Sequence, residues 1–258
     1  MGLEQSLEQT AVDADVALAA ASEVSRCLRR LRRAAQLGLI REISKAFESA
    51  QQAAGRLQNE VSQRVQGSAF SEPDGWDRGA YMDELLAMAR QMGVEVYKEN
   101  DLLYCYPSLV RVLPNEPTAF IDKRREKRLR PSVLLECLKS LQRKPPRFNS
   151  NIFLESIHDV YVIAVKTRPK RRRGVTIPLV EVYDLLTKLP TMKREYSRDE
   201  FARDLCLLDD SDIRKTRNNA TVHLHPARGS ESPGKIFSTV AKDGRLLSYY
   251  GVSFDGEG

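Results

Sequence analysis

The sequence predicts an α+β fold that is mainly helical, and three patterns along its 258 residues indicate this class. Residues 3–66 contain no proline and repeat apolar positions at three- and four-residue steps, which is typical of long helices. Residues 94–121 alternate apolar and polar side chains in short runs, which is typical of strands. Residues 175–254 show helical spacing first and strand-like alternation last.

These changes in pattern divide the chain into five predicted segments. They are a helical hairpin or coiled-coil region at 1–66, a loop at 67–79, a mixed α/β body at 80–165, a basic hinge at 166–174 and a C-terminal domain at 175–254. Hydrophobic residues make up 41% and charged residues 29% of the chain, as in an ordinary globular protein.

The N-terminal segment is expected to form two long helices that break at Gly38. Its apolar stripe consists mostly of Ala and Val and is therefore narrow, and such helices seldom stand alone. Two arrangements follow from this. The helices pair with each other as an antiparallel hairpin, or residues 3–66 pack on a further copy or on a larger protein partner.

The middle of the chain alternates predicted helices and strands. Helices are expected at Tyr81–Met92, at Pro131–Arg143 and from Asn149 or Ser150 to Ala164, and a small antiparallel meander at Val94–Ile121. A first basic run at 122–130 follows the meander. It is either a further nucleic-acid contact or, since it contains Glu126, the exposed start of a helix.

The C-terminal segment is predicted to contain three helices. Thr176 is expected to cap the first, with Pro178 in its first turn. Ser197-Arg-Asp-Glu200 fits a capping box that opens the second. Ile213–Asn219 is the expected third helix, which is short and rich in basic and amide side chains. A strand at Thr221–His225 and a hairpin around Asp243-Gly244 complete the segment.

Three helices followed by a β-hairpin is an element order that resembles winged-helix domains. The resemblance covers residues 175–254 and element order only. It implies that the third helix lies in the major groove of DNA and that the hairpin loop contacts the backbone. The acidic run at 209–212 departs from this pattern, because it lies next to the expected reading helix and repels phosphate.

The predicted nucleic-acid-binding residues lie in the hinge, in the expected third helix and in the wing. Arginine and lysine can neutralise phosphates or bind guanine, and asparagine can bind adenine edges. The set is Arg171, Arg172, Arg173, Arg214, Lys215, Arg217, Asn218, Asn219, Arg228 and Lys235. A net charge of +6 is consistent with a polyanionic partner, and we expect double-stranded DNA.

Catalytic and metal-binding patterns are weak. His223 and His225 point to one face of a strand but have no third ligand at a suitable spacing. Glu95, Glu99 and Asp101 with Lys98 could imitate a nuclease site, although strand alternation places Glu95 and Lys98 on opposite faces. No phosphate-binding GxxxxGK[ST] loop and no nucleophile motif is present. We therefore expect a non-enzymatic protein without cofactor or metal.

The four cysteines are scattered without a CxxC pair, and no apolar run approaches the roughly 20 residues that span a bilayer. The sequence thus favours a cytoplasmic protein that does not bind membranes, nucleoid-associated if bacterial.

The sequence patterns as a whole suggest three functions. The first is a DNA-binding winged-helix protein or subunit. The second is a protein-interaction subunit of a larger nucleic-acid-processing assembly, such as an ATP-dependent one, and the third is a metal-dependent nuclease.

Overall fold

The computed structural model describes residues 2–65, 76–168, 174–188, 196–229 and 231–256, and the fold is α+β with antiparallel sheets. The chain forms two compact units. The first unit consists of Met1–Met88, Leu113–Thr118 and Lys127–Leu134, and the second of Ala89–Val112, Ala119–Glu126 and Leu135–Gly258.

The first unit is built on an antiparallel helical hairpin. Helix α1 spans Leu3–Leu37 and helix α2 spans Ile40–Glu60, and Val61–Val65 continues α2 as a π-helical turn. Gly38 ends α1 with φ 69°, a left-handed conformation that glycine adopts without strain. The predicted break at Gly38 and the pairing of the two helices with each other are therefore confirmed.

Heptad spacing explains why the two helices pack together. In each helix the residues that face the other helix recur at steps of three and four, which keeps them on one side of a supercoiled helix. These inward residues are buried or half-buried: Ala17, Ala20, Val24, Cys27, Leu31 and Ala34 in α1, and Ile43, Ala46, Ala50, Ala53 and Leu57 in α2. Small side chains dominate, so the helix axes can approach closely.

The start of α1 is held by side chains that are distant in sequence. Helix α3 spans Arg78–Met92, and its Glu84 carboxylate accepts the amide protons of Leu3 at 2.6 Å and Glu4 at 3.0 Å. The carboxylate of Glu4 in turn accepts from Arg130 Nε at 2.6 Å and from the Ser132 amide at 3.0 Å. Carboxylates stabilise helix N-termini because free amides and the helix dipole are positive there, so α1 is clamped at its base.

The predicted meander forms a five-stranded antiparallel sheet in the order β1 to β5. The strands are Tyr97–Glu99, Leu102–Cys105, Ser108–Val112, Ala119–Ile121 and Arg124–Glu126. The last strand falls in the basic run at 122–130, so the prediction that this run starts a helix is wrong. Asp122 adopts φ 53°, which Asp tolerates in tight turns, and turns the chain into β5.

Two helices follow the meander, and both were predicted. Helix α4 spans Pro131–Gln142 and helix α5 spans Ser150–Lys166. The Asn149 side chain caps α5 by accepting from the Ile152 amide, as expected for an N-cap residue.

In the described residues of its C-terminal part, the second unit combines α5 with two more helices and a four-stranded sheet. Strand β6 is Ile177–Pro178, α6 is Leu179–Leu186, α7 is Arg198–Asp209, and β7, β8 and β9 are Thr221–Pro226, Phe237–Val240 and Leu246–Asp255. The strand order is β6-β9-β7, and β8 pairs with β9. The predicted capping box at Ser197 and Glu200 and the hairpin at Asp243-Gly244 are confirmed.

The predicted third helix at Ile213–Asn219 does not form. Lys215 pairs with Thr221, the Thr216 amide donates to Ala220 O at 2.9 Å, and Asn219 adopts φ 65°. These contacts make a tight turn that leads into β7. The physical reason is composition: Asn and Thr side chains compete with helical hydrogen bonding, and Asn tolerates the left-handed conformation.

The helix predicted to start at Thr176 begins later, at Leu179. Ile177 and Pro178 are extended instead and pair with Val252 and Gly251 of β9. Pro178 fits this position because proline tolerates a sheet edge. Among the described residues, no helix is both long and apolar enough to cross a membrane.

Candidate nucleic-acid interface

The turn before β7 places four of the predicted contact residues together. Lys215, Arg217, Asn218 and Asn219 are all exposed. The Arg217 amide donates to Glu155 Oε1 at 2.7 Å, which fixes the backbone at this exposed residue. The turn therefore presents two cations and two amides on a stiff backbone.

Arg214 does not belong to this exposed group. Its guanidinium donates to the carbonyl oxygens of Leu208 and Asp209 and pairs with the Asp209 carboxylate at 3.1 Å. These carbonyls lie at the end of α7, where backbone acceptors lack helical partners. Arg214 thus caps a helix, and the acidic run at 209–212 supplies its partner.

The remaining predicted residues lie elsewhere. Arg228 and Lys235 are exposed but follow β7, so the six residues of that strand, about 20 Å in length, separate them from the turn. Arg171, Arg172 and Arg173 lie outside the described residues. Gly174 directly follows these three arginines and lies close to Asp255. A Cβ atom added at Gly174 would lie 3.0 Å from Asp255 Oδ1.

A second cationic surface, which the sequence reasoning missed, lies on the helical hairpin. Residues 24–47 contain seven basic side chains and one acidic one, a net charge of +6 that equals the net charge of the whole chain. Arg26, Arg29, Arg30 and Arg33 recur at spacings of three, four and seven, which places them along one face of α1. This spacing is the signal that could have revealed the surface.

The heptad pattern of α2 brings further cations to the same side of the hairpin. In an antiparallel pair, the positions flanking the contact on one side of each helix lie next to each other. A groove on that side is lined by Arg26 and Arg30 of α1 and by Ser49, Gln52 and Arg56 of α2. We call this surface the basic side; it comprises Arg26, Arg29, Arg30, Arg33, Lys45 and Arg56.

Most of the positive charge on the basic side is uncompensated. Glu23 lies 3.7 Å from Arg26 and 3.9 Å from Arg56, and these distances are long for an ion pair. Within the described part of the chain, no ion pair engages Arg29, Arg30 or Arg33. Arg26 to Arg33 span about 10 Å of helix, which matches the axial rise of about three phosphates in one DNA strand.

The two strand histidines make local contacts. His223 Nε2 lies 3.1 Å from Asp255 Oδ2, and His225 Nε2 lies 2.9 Å from Ser253 Oγ. Burial, together with the charges of His223 and Arg228, lowers the pKa of His225. Across the described residues, no three His, Cys, Asp or Glu side chains come together as metal ligands, and this includes the region of Glu95 and Asp101.

Comparisons with known proteins give no family for this chain. No family model matches it, and no match was found among curated proteins or solved structures.

Proposed function

We propose that this protein binds nucleic acid without catalysing a reaction, and that its ligand is double-stranded DNA contacted mainly at the phosphates. One observation carries the proposal: Arg29, Arg30 and Arg33 are exposed and aligned on the basic side of the hairpin, and no acidic side chain among the described residues pairs with them. Guanidinium groups bind phosphate bidentately, and aligned cations release counterions from DNA when they bind.

The turn at 215–219 supports the same function as a second contact. Its two cations can neutralise phosphates, and its two asparagines can hydrogen-bond to bases or sugars. Because phosphate contacts carry no sequence information, binding dominated by the basic side is expected to differ little between DNA sequences.

A mobility-shift titration on a duplex at several salt concentrations tests this proposal. Each phosphate contact contributes about 0.9 to the slope of log affinity against log salt. Replacing Arg29, Arg30 and Arg33 with Gln should therefore flatten the slope by about 2–3. Replacing Arg143, Lys144 and Arg147 with Gln removes the same charge from exposed positions of the second unit and serves as the matched control.

Two results would contradict the proposal. One is that the wild-type chain fails to bind duplex at low salt. The other is that the control triplet flattens the salt dependence as much as the hairpin triplet does, because binding would then follow net charge alone.

A second candidate function, a protein-interaction subunit, rests on helix α7. We interpret the order α5, β6, α6, α7, β7, β8 and β9, with β9 between β6 and β7, as similar to that of a winged helix. In this interpretation α7 corresponds to the groove-reading helix.

Helix α7 is poorly suited to enter a DNA groove. It is buried along most of its length. Arg203 is bound by Asp122 and Asp204, and Arg198 donates to Gly234 O and Ile236 O. If the C-terminal half is an interaction module, Arg217→Ala should leave the sequence preference of the protein unchanged when duplexes of different sequence compete for binding. A changed sequence preference would instead favour base reading by the turn.

A further inference from the structure

On the side of the hairpin opposite the basic side, the positions that flank the contact are apolar in both helices. The residues that flank the contact on this side recur every seven positions: Ala21, Leu28 and Ala35 in α1, and Ile40, Phe47 and Ala54 in α2. We call them the apolar side. Ile40 is 79% exposed, Phe47 59% and Leu28 50%, although none of these large side chains is needed for the pairing of α1 with α2.

This pattern is typical of a helical bundle. A two-helix contact needs apolar residues only at the two inward positions of each heptad, whereas a bundle helix adds a third apolar position on one flank. Both helices of the hairpin add the third position on the same side. The sequence is therefore patterned for a layer of helices that one hairpin does not supply.

We propose that a second copy of this chain covers the apolar side, so that two hairpins form an antiparallel four-helix bundle. Two neighbouring layers of the apolar side differ in size, which makes this part of the surface complementary to itself. Leu28 and Phe47 lie ten and nine residues from Gly38 and form a large layer, while Ala21 and Ala54 lie seventeen and sixteen residues from it and form a small layer.

We place a two-fold axis in the plane of the contact, perpendicular to the helices and about thirteen residues from Gly38. This axis brings the large layer of each copy onto the small layer of the other copy. Leu28 of one copy then packs on Ala21 of the other, and Phe47 packs on Ala54. Interdigitation of large and small side chains is how bundle cores fill space, and a surface that fits itself in this way forms a closed two-fold dimer.

Size and charge agree with this partner. A contact about 30 Å long and about 20 Å wide, the width of two helices, buries roughly 1,200 Å² over both copies, which lies within the range of specific interfaces. The arginines of the basic side face outward in both copies, so the dimer keeps like charges apart. The inference goes beyond the proposed function and does not depend on it.

The test measures the mass of the chain in solution by sedimentation equilibrium, with circular dichroism as the check of folding. The wild-type chain is expected to be a dimer, and Phe47→Glu a folded monomer, because the charge would be buried in the contact. Ile163→Glu replaces a 52% exposed apolar residue of α5 and is the matched control that should remain dimeric.

Exchanging the large residue at position 47 with the small residue at position 54 tests how the two copies are aligned along the helices. Ala54→Phe alone should weaken the dimer by steric overlap with Phe47 of the other copy, and Phe47→Ala together with Ala54→Phe should restore it. A monomeric wild-type chain, a dimeric Phe47→Glu chain or a swap that fails to restore the dimer would each overturn the proposal. None of these results depends on DNA binding, which the salt titration measures separately.

Discussion

Arg203→Met is expected to destabilise the second unit by about 3 kcal/mol, as is typical when one partner of a buried ion pair is removed. Arg203 donates to Asp122 Oδ1 at 2.7 Å and to Asp204 Oδ1 at 2.8 Å. The side chains of Arg203 and Asp204 are only 19% and 12% exposed. Without the guanidinium, the hydroxyl of Tyr196, at 2.7 Å, is the one hydrogen-bond donor left to the Asp204 carboxylate among the described residues. For a chain of this length the loss corresponds to a fall in Tm of about 6–12 °C.

The pH dependence of this loss follows from Asp204. Burial, partly offset by Arg203, raises the pKa of Asp204 above its ordinary value. Stability from a carboxyl with a raised pKa is fully present below the unfolded pKa of about 3.9 and is lost as the pH rises through the folded pKa. Because Arg203→Met removes the cation that lowers this pKa, the variant should differ from wild type more at pH 7 than at pH 4.

Urea denaturation at both pH values, followed by far-UV circular dichroism, measures the effect. Asp204→Asn should recover part of the loss in the Arg203→Met background, since the amide carries no charge to leave unpaired. An equal loss at pH 4 and pH 7, together with no recovery in the double variant, would refute the explanation by an unpaired buried carboxylate.

Three further predictions concern local structure. Ser197→Ala should cost about 1 kcal/mol in urea denaturation because it removes the capping box of α7. Asn219→Gly should be nearly neutral, whereas Asn219→Val should destabilise by about 1–2 kcal/mol through its positive φ, a difference that thermal melts can measure. Burial raises the pKa of both Cys105 and Cys206 to about 12, so mass spectrometry after brief alkylation at pH 8 should find these thiols unmodified, and the opposite result would exclude their burial.

Much of the fold could be predicted because local patterns and tertiary contacts agree. The inward heptad residues of α1 and α2, the capping box at Ser197 and Glu200 and the Asp243-Gly244 turn each specify one structure. Every one of these elements forms as expected. Each of these patterns involves residues close together in sequence, so it predicts the local structure without knowledge of the tertiary contacts.

Other elements depend on contacts that sequence spacing does not reveal. Ile177 and Pro178 are extended because β9, more than seventy residues later, offers an edge for pairing. Ile213–Asn219 forms a turn because Lys215 pairs with Thr221 and Arg214 caps the end of α7. For the candidate site, the sequence identified the cations of the turn. The spacing of Arg26, Arg29, Arg30 and Arg33 also marks the α1 part of the basic side, but the groove shared with Arg56 exists only once α1 and α2 lie next to each other.

Helix α1 is held by hydrogen bonds at its first residues, so a small rotation at that end corresponds to a large displacement at the other end of the hairpin. Glu84 holds the helix at Leu3 and Glu4, and the 35 residues of α1 place Gly38 about 50 Å away. At that radius, a rotation of only 10° about the clamped end displaces the turn by about 9 Å, given the rise of about 1.5 Å per residue. A rearrangement of the Glu84 contacts that rotated α1 by this angle would therefore move the far end of the hairpin, where the arginines lie, by a much larger distance than it moves Leu3.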